Sequence, residues 1–160
     1  MGSFADQWHT EGLPSRQGLD DAARKLGHRR KHLNVQGIWQ DPPLMITATL
    51  DDGLGQGLAV IEKFAALIGI RLISLGLMQT SEAILEACSR HLPDFLGLTI
   101  LQFDSEDDLA WIANQLPRKT RIVAGGPVFR GDPDFAGRTG THYAAGNVAD
   151  FLQFMLDADR

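Results

Sequence analysis

From Leu44 onward, the apolar and polar positions fall into blocks whose period switches between two regimes. Short, nearly continuous apolar runs, LMITATL (Leu44–Leu50), RLISLG (Arg71–Gly76), FLGLTIL (Phe95–Leu101) and RIVAGG (Arg121–Gly126), have the length and β-branched content of buried strands. Between them, over Gly57–Ile68, Ser81–His91 and Ser105–Leu116, apolar residues recur three and four apart, which lays one apolar stripe along a helix. Ser81 stands where an N-cap is expected, and SEDD from Ser105 supplies a cap and an acidic first turn. A short helix over Asp132–Gly140, a weak fifth strand over Thr141–Gly146 and an amphipathic helix over Asn147–Ala158 complete the pattern.

Five strands, each followed by a helix, predict an α/β fold: an open parallel sheet with right-handed crossovers and helices on both faces. The third strand is apolar at nearly every position, as a sheet covered on both sides requires. A lone unit of this size predicts the flavodoxin-like (Rossmann-like) order 2-1-3-4-5. Its ligand crevice is then expected at the carboxyl ends of strands 1, 3 and 4. Residues 1–43 do not follow the alternation. Leu19–Leu33 has the spacing of one amphipathic helix, and Gln36–Pro43 reads as a connector packing Ile38 or Trp39 on the domain. Pro42 and Pro43 end any helix before the first strand. The expected division is an N-terminal helical extension over 1–43 and an α/β domain over 44–160.

Composition narrows the classes. At 160 residues, the chain holds one ordinary domain. A net charge of −5 argues against a general nucleic-acid binder, which needs a positive surface. The cluster HRRKH (His28–His32) reads as the solvated end of a helix. Cys88 is the only cysteine, which leaves no intrachain disulfide and no CxxC pair, and its helical context makes it a core residue. No apolar run approaches the roughly 18 residues of a membrane span, and no signal peptide is apparent. A cytoplasmic protein without membrane association is expected.

The candidate chemistry gathers at DDGLGQG (Asp51–Gly57). Its glycines miss the GxGxxG spacing, and it lacks the Lys-Ser/Thr of a phosphate-binding loop. Asp51 and Asp52 would repel a phosphate at the following helix N-terminus. A tight strand-to-helix turn accounts for the same glycines.

Read with the ends of the third and fourth strands, the loop resembles part of the cobalamin (vitamin B12)-binding domain family. That family carries Asp-x-His-x-x-Gly after strand 1, Ser-x-Leu at the end of strand 3 and Gly-Gly at the end of strand 4. The corresponding positions here are Asp52-Gly53-Leu54-Gly55-Gln56-Gly57, Thr99-Ile100-Leu101 and Gly125-Gly126. The resemblance covers about Leu44 to Leu156. It implies a slot for the cofactor's nucleotide tail, with Gly53, Gly55 and Gly57 on one wall, Gly125 and Gly126 on another, and a Thr99 hydroxyl placed to bond the tail's base. It also implies a cobalamin held without a histidine ligand to cobalt, because Leu54 stands at the family's histidine position. Asp52, Leu54 and Leu101 complete the implied cofactor-binding set. No catalytic residue and no protein metal ligand is expected. The chain is too short to contain a substrate domain as well, so catalysis would belong to a partner enzyme or subunit; a homo-oligomer is compatible with the sequence. Two other readings stand beside this one: a cofactor-free or haem-binding relative acting as an interaction or sensor module, and an unrelated flavodoxin-like nucleotide or flavin binder.

Overall fold

The computed structural model describes residues 2–51, 53 and 55–158. Two helices come first, α1 (Gly2–Glu11) and α2 (Arg16–His32). The alternating part follows as β1 (Leu44–Thr49), α3 (Gln56–Ile68), β2 (Arg71–Gly76), α4 (Ser81–His91) and β3 (Phe95–Thr99). After a 3₁₀ turn at Phe103–Ser105 come α5 (Glu106–Gln115), β4 (Arg121–Gly125), α6 (Val128–Gly131), α7 (Phe135–Arg138), β5 (Tyr143–Ala145) and α8 (Val148–Ala158). The sheet is parallel throughout, in the order β2-β1-β3-β4-β5, as the alternation predicts.

Each strand sends alternate side chains to opposite faces. Ile46, Leu96, Leu98 and Ile122 point to one side and pack with Ile84, Cys88 and Leu109 of α4 and α5. Met45, Phe95 and Val123 point to the other and pack with α3 and α8 through Phe64, Ile68, Phe151 and Met155. The N-terminal helices lie on this second layer. Trp8 of α1 meets Phe64 edge-on, with ring centroids 5.6 Å apart, and Lys63 of α3 pairs with Asp20 of α2.

Several boundaries differ from those predicted. Leu50, Ile100, Leu101 and Gly126 continue apolar runs in the sequence but peel into loops at the sheet's carboxyl edge. Thr80 is the N-cap of α4, its Oγ1 accepting from the Ala83 N–H, while the Ser81 hydroxyl donates to Asp108. Ser105 supplies no side-chain cap to α5; its hydroxyl reaches Asp51 instead. Asp132–Gly140 narrows to the single turn of α7, preceded by the unpredicted α6. HRRKH ends α2 as expected, but Arg30 is not idle: its guanidinium donates to the Ala66 and Leu67 carbonyls at the end of α3. Ile38 and Trp39 both pack against the second layer. No helix among the described residues is long and apolar enough to cross a membrane.

Candidate functional site

Register builds the site. Across β1, β3, β4 and β5, one row on the α3/α8 face reads Thr47, Gly97, Val123, Tyr143. The next row toward the carboxyl edge reads Thr49, Thr99, Gly125, Ala145. Deeper in the layer, Met45, Phe95, Phe64 and Met155 set how closely α3 and α8 approach the sheet. Over the row of small residues the same helices cannot close the gap. A largely apolar slot of about 620 Å³ opens there, within the roughly 300–1,000 Å³ range of small-molecule sites.

The slot's floor is Thr49, Gly97, Thr99, Gly125 and Ala145. Val60 and Ile61 of α3 form one wall, and Val148 and Phe151 of α8 the other. Leu13, in the turn between α1 and α2, and Leu19 of α2 close the side away from the sheet.

Of the residues implied by the sequence, Gly55, Gly57, Thr99, Leu101, Gly125 and Gly126 all line this slot. Gly53 does not. A Cβ there would fall 1.8 Å from Leu101 Cδ1, so Gly53 makes room for Leu101 rather than for a ligand. Asp52 and Leu54 lie outside the described residues. Gly126 has a different role from its neighbour. At φ +131° its missing Cβ would lie 1.9 Å from the Ile100 carbonyl oxygen, so two backbones touch where only glycine fits. At Gly125 a Cβ would meet the Ala145 carbonyl oxygen at 3.0 Å.

Asp51 faces away from the slot and ties the loops at its mouth. Buried to 8% exposure, its Oδ2 accepts from the Leu101 N–H at 2.8 Å, the Gln102 N–H at 3.3 Å and the Ser105 hydroxyl at 3.5 Å. Its Oδ1 is buried without a partner among the described residues. The Ile100 N–H donates to the Gly125 carbonyl at 2.8 Å, joining the β3 and β4 loops as well. Thr49 is spent on the same edge: its hydroxyl donates to the Asp51 carbonyl and accepts from the Met78 N–H.

Arg130 of α6 is the one charged side chain among the described residues lining the slot. Arg138 nearby makes a two-pronged bond to Glu106, at 2.8 and 3.0 Å, and a third to Asp132 at 2.7 Å. Those bonds hold the Glu106 and Asp132 carboxyls below the usual carboxylate range. The network pins the α6–α7 segment to α5. Burial pushes the Cys88 thiol up to about 12, which suits an inert core residue.

Among the described residues, no histidine lines the slot and no group of three or more metal-binding side chains occurs. His9 sits 3.4 Å from Asp150. His142 accepts the Ile122 N–H on Nδ1, at the start of β5 and away from the carboxyl edge. His28 and His32 belong to α2, and His91 ends α4.

Sequence reasoning missed Asp51's clamp, Arg130, and the contributions of α8 and the N-terminal helices. The clamp had no signal beyond an acidic pair. The rest depend on contacts between segments far apart in the chain.

The fold is flavodoxin-like, and solved structures of cobalamin-binding and corrinoid proteins superpose on it. A cobalamin-binding protein from Desulfitobacterium hafniense DCB-2 gives a TM-score of 0.81 at 16% identity, over 98% of this chain and 76% of its own. The monomethylamine corrinoid protein of Methanosarcina barkeri gives 0.68 at 15% identity, over 96% of this chain and 76% of its own. A chain of the methanol:cobalamin methyltransferase complex of the same organism gives 0.67 at 16% identity, over 98% of this chain and 62% of that chain. At these identities the likeness concerns the fold. No family model matches the sequence, and no curated protein does.

Proposed function

We propose that this chain is a cobalamin (corrinoid)-binding module that takes the cofactor's nucleotide tail into the slot and acts as a carrier or accessory to a partner enzyme. The observation that carries the reading is the row Thr49, Thr99, Gly125, Ala145 under a 620 Å³ apolar slot. Such a cradle suits a flat aromatic base, and structural neighbours that are cobalamin-binding or corrinoid proteins share the fold. Gly57 leaves the α3 side clear, because a Cβ there would meet only Thr99 Cγ2 at 3.8 Å, and Thr99 lies on the floor; at Gly55 a Cβ would instead meet Leu77 at 2.7 Å.

Cobalt receives no histidine from the chain in this reading. Leu54 occupies the position where the family histidine stands, and the histidines are placed on other elements. When bound, the cofactor would supply redox and carbon–cobalt chemistry that no side chain here provides. The chain's residues would hold and orient it. Leu77, Met78 and Phe103 are exposed at 42%, 67% and 53% on loops after β2 and β3. An apolar rim of this kind fits a face that a partner subunit covers.

The test is retention of hydroxocobalamin through gel filtration, read as a cobalt–corrin absorbance band co-eluting one-to-one with the protein. Electron paramagnetic resonance of the Co(II) form, loaded with a corrinoid lacking its tail base, should then show no nitrogen splitting from the protein. Absence of the band would favour the cofactor-free interaction module. A protein nitrogen in the spectrum would remove the histidine-free part of the reading.

A further inference from the structure

An apolar slot can take a base and a sugar, but a nucleotide tail also carries a phosphodiester with a permanent negative charge. Burying that charge without a partner is costly. It comes to rest either in water at the mouth or beside a cation.

Building on the cobalamin-binding reading, we propose that Arg130 is the phosphate-binding residue of this slot. Its guanidinium would pair with the phosphodiester that joins the tail base to the corrin. Three observations carry this. Arg130 is the one charged side chain among the described residues lining the cavity. It stands on α6, which begins three residues beyond the end of β4, so it lies past the sheet's carboxyl edge, at the mouth rather than over the floor. Its acidic neighbour Asp132 is already bonded to Arg138 at 2.7 Å, so the nearest carboxylate in sequence is engaged elsewhere. A guanidinium presents paired N–H donors that match two phosphate oxygens, and a lysine amine does not reproduce that geometry.

The experiment measures dissociation constants for cobalamin and for cobinamide, which keeps the corrin ring but lacks the tail phosphate and base. Wild type, Arg130→Gln and Arg130→Lys are compared. Arg130→Gln should weaken cobalamin about tenfold, the size expected for one charge-assisted contact, and leave cobinamide unchanged. Arg130→Lys should restore part of the loss. Added salt should weaken cobalamin binding to wild type more than to Arg130→Gln. If Arg130→Gln leaves the cobalamin-to-cobinamide ratio at its wild-type value, Arg130 does not hold the phosphate, while the corrinoid reading stands. If wild type retains no cobalamin at all, the corrinoid reading itself fails. Displacement of cobalamin by micromolar adenosine monophosphate would assign the slot to free nucleotides and overturn the proposal.

Discussion

Substituting two glycines that line the slot should have opposite effects, because one borders open space and the other touches backbone. Gly57 is the second residue of α3, and a Cβ built there meets only Thr99 Cγ2, at 3.8 Å. Gly57→Ala should therefore fold well and gain about 0.4–1 kcal/mol, because the unfolded chain loses freedom. Gly57→Phe should also fold, with its ring projecting across the slot between α3 and β3. Cobalamin affinity should then fall by at least about a hundredfold, or about 2.7 kcal/mol. At Gly126 a Cβ would sit 1.9 Å from the Ile100 oxygen, in a backbone conformation that L side chains rarely adopt. Gly126→Ala should cost about 1–3 kcal/mol in backbone strain and about 1–3 kcal/mol more in displaced loops. Against a typical total of about 5–15 kcal/mol, that is a large fraction of the stability. Urea unfolding followed by circular dichroism gives the stabilities, and corrin retention gives the binding. A folded Gly57→Phe that binds cobalamin as wild type does would show that the tail does not use this slot. A Gly126→Ala protein of undiminished stability would refute the close-approach argument.

Asp51→Ala should cost about 1–3 kcal/mol, since it removes the acceptor of the Leu101 N–H in a buried loop; chemical denaturation of the variant measures this directly. Cys88 gives a pH dependence of known sign. Its thiol ionises near 9 when unfolded and only at about 12 when folded, so the unfolded state loses protons first. Stability is full below about pH 9 and falls as pH rises toward 12, by about 1.4 kcal/mol at pH 10. Cys88→Ala should lack this component in denaturation curves taken across that range.

The strand order was legible because each strand is a compact apolar block and each crossover a helical stripe. The strand ends were not. Leu50, Ile100 and Leu101 look like strand residues, yet beyond Thr49 and Thr99 the chain serves loop-to-loop contacts made by Asp51, Gly125 and Gly126. Helix α1 was invisible because the contacts that hold it, Trp8 on Phe64 and α1 against α8, are tertiary. At the site, Gly125-Gly126 was readable as a close approach, but the sequence does not tell the 1.9 Å approach to the Ile100 oxygen at Gly126 from the looser 3.0 Å approach to the Ala145 oxygen at Gly125. Gly53 resembled its neighbours in sequence and differs from them because Leu101 folds beneath it. Arg130 carried no motif. It stands out as the one charged side chain among the described residues lining the cavity.

The walls of that cavity are held by unequal means. The mouth loops on the sheet side are joined by the Asp51 clamp, the Ile100-to-Gly125 hydrogen bond and the Gly126 contact. The opposite side rests on the packing of α1 and α2, with Trp8 against Phe64, on the α1–α2 turn, where Leu13 is 43% exposed, and on the Lys63–Asp20 pair at the surface. Exposed pairs of that kind add little. The sheet side is therefore preorganised, so its ordering entropy is lost during folding rather than at binding. The helical side can yield while every strand stays paired. In the corrinoid-binding reading, selectivity among ligands would belong to the first wall, and the speed at which one ligand exchanges for another to the second.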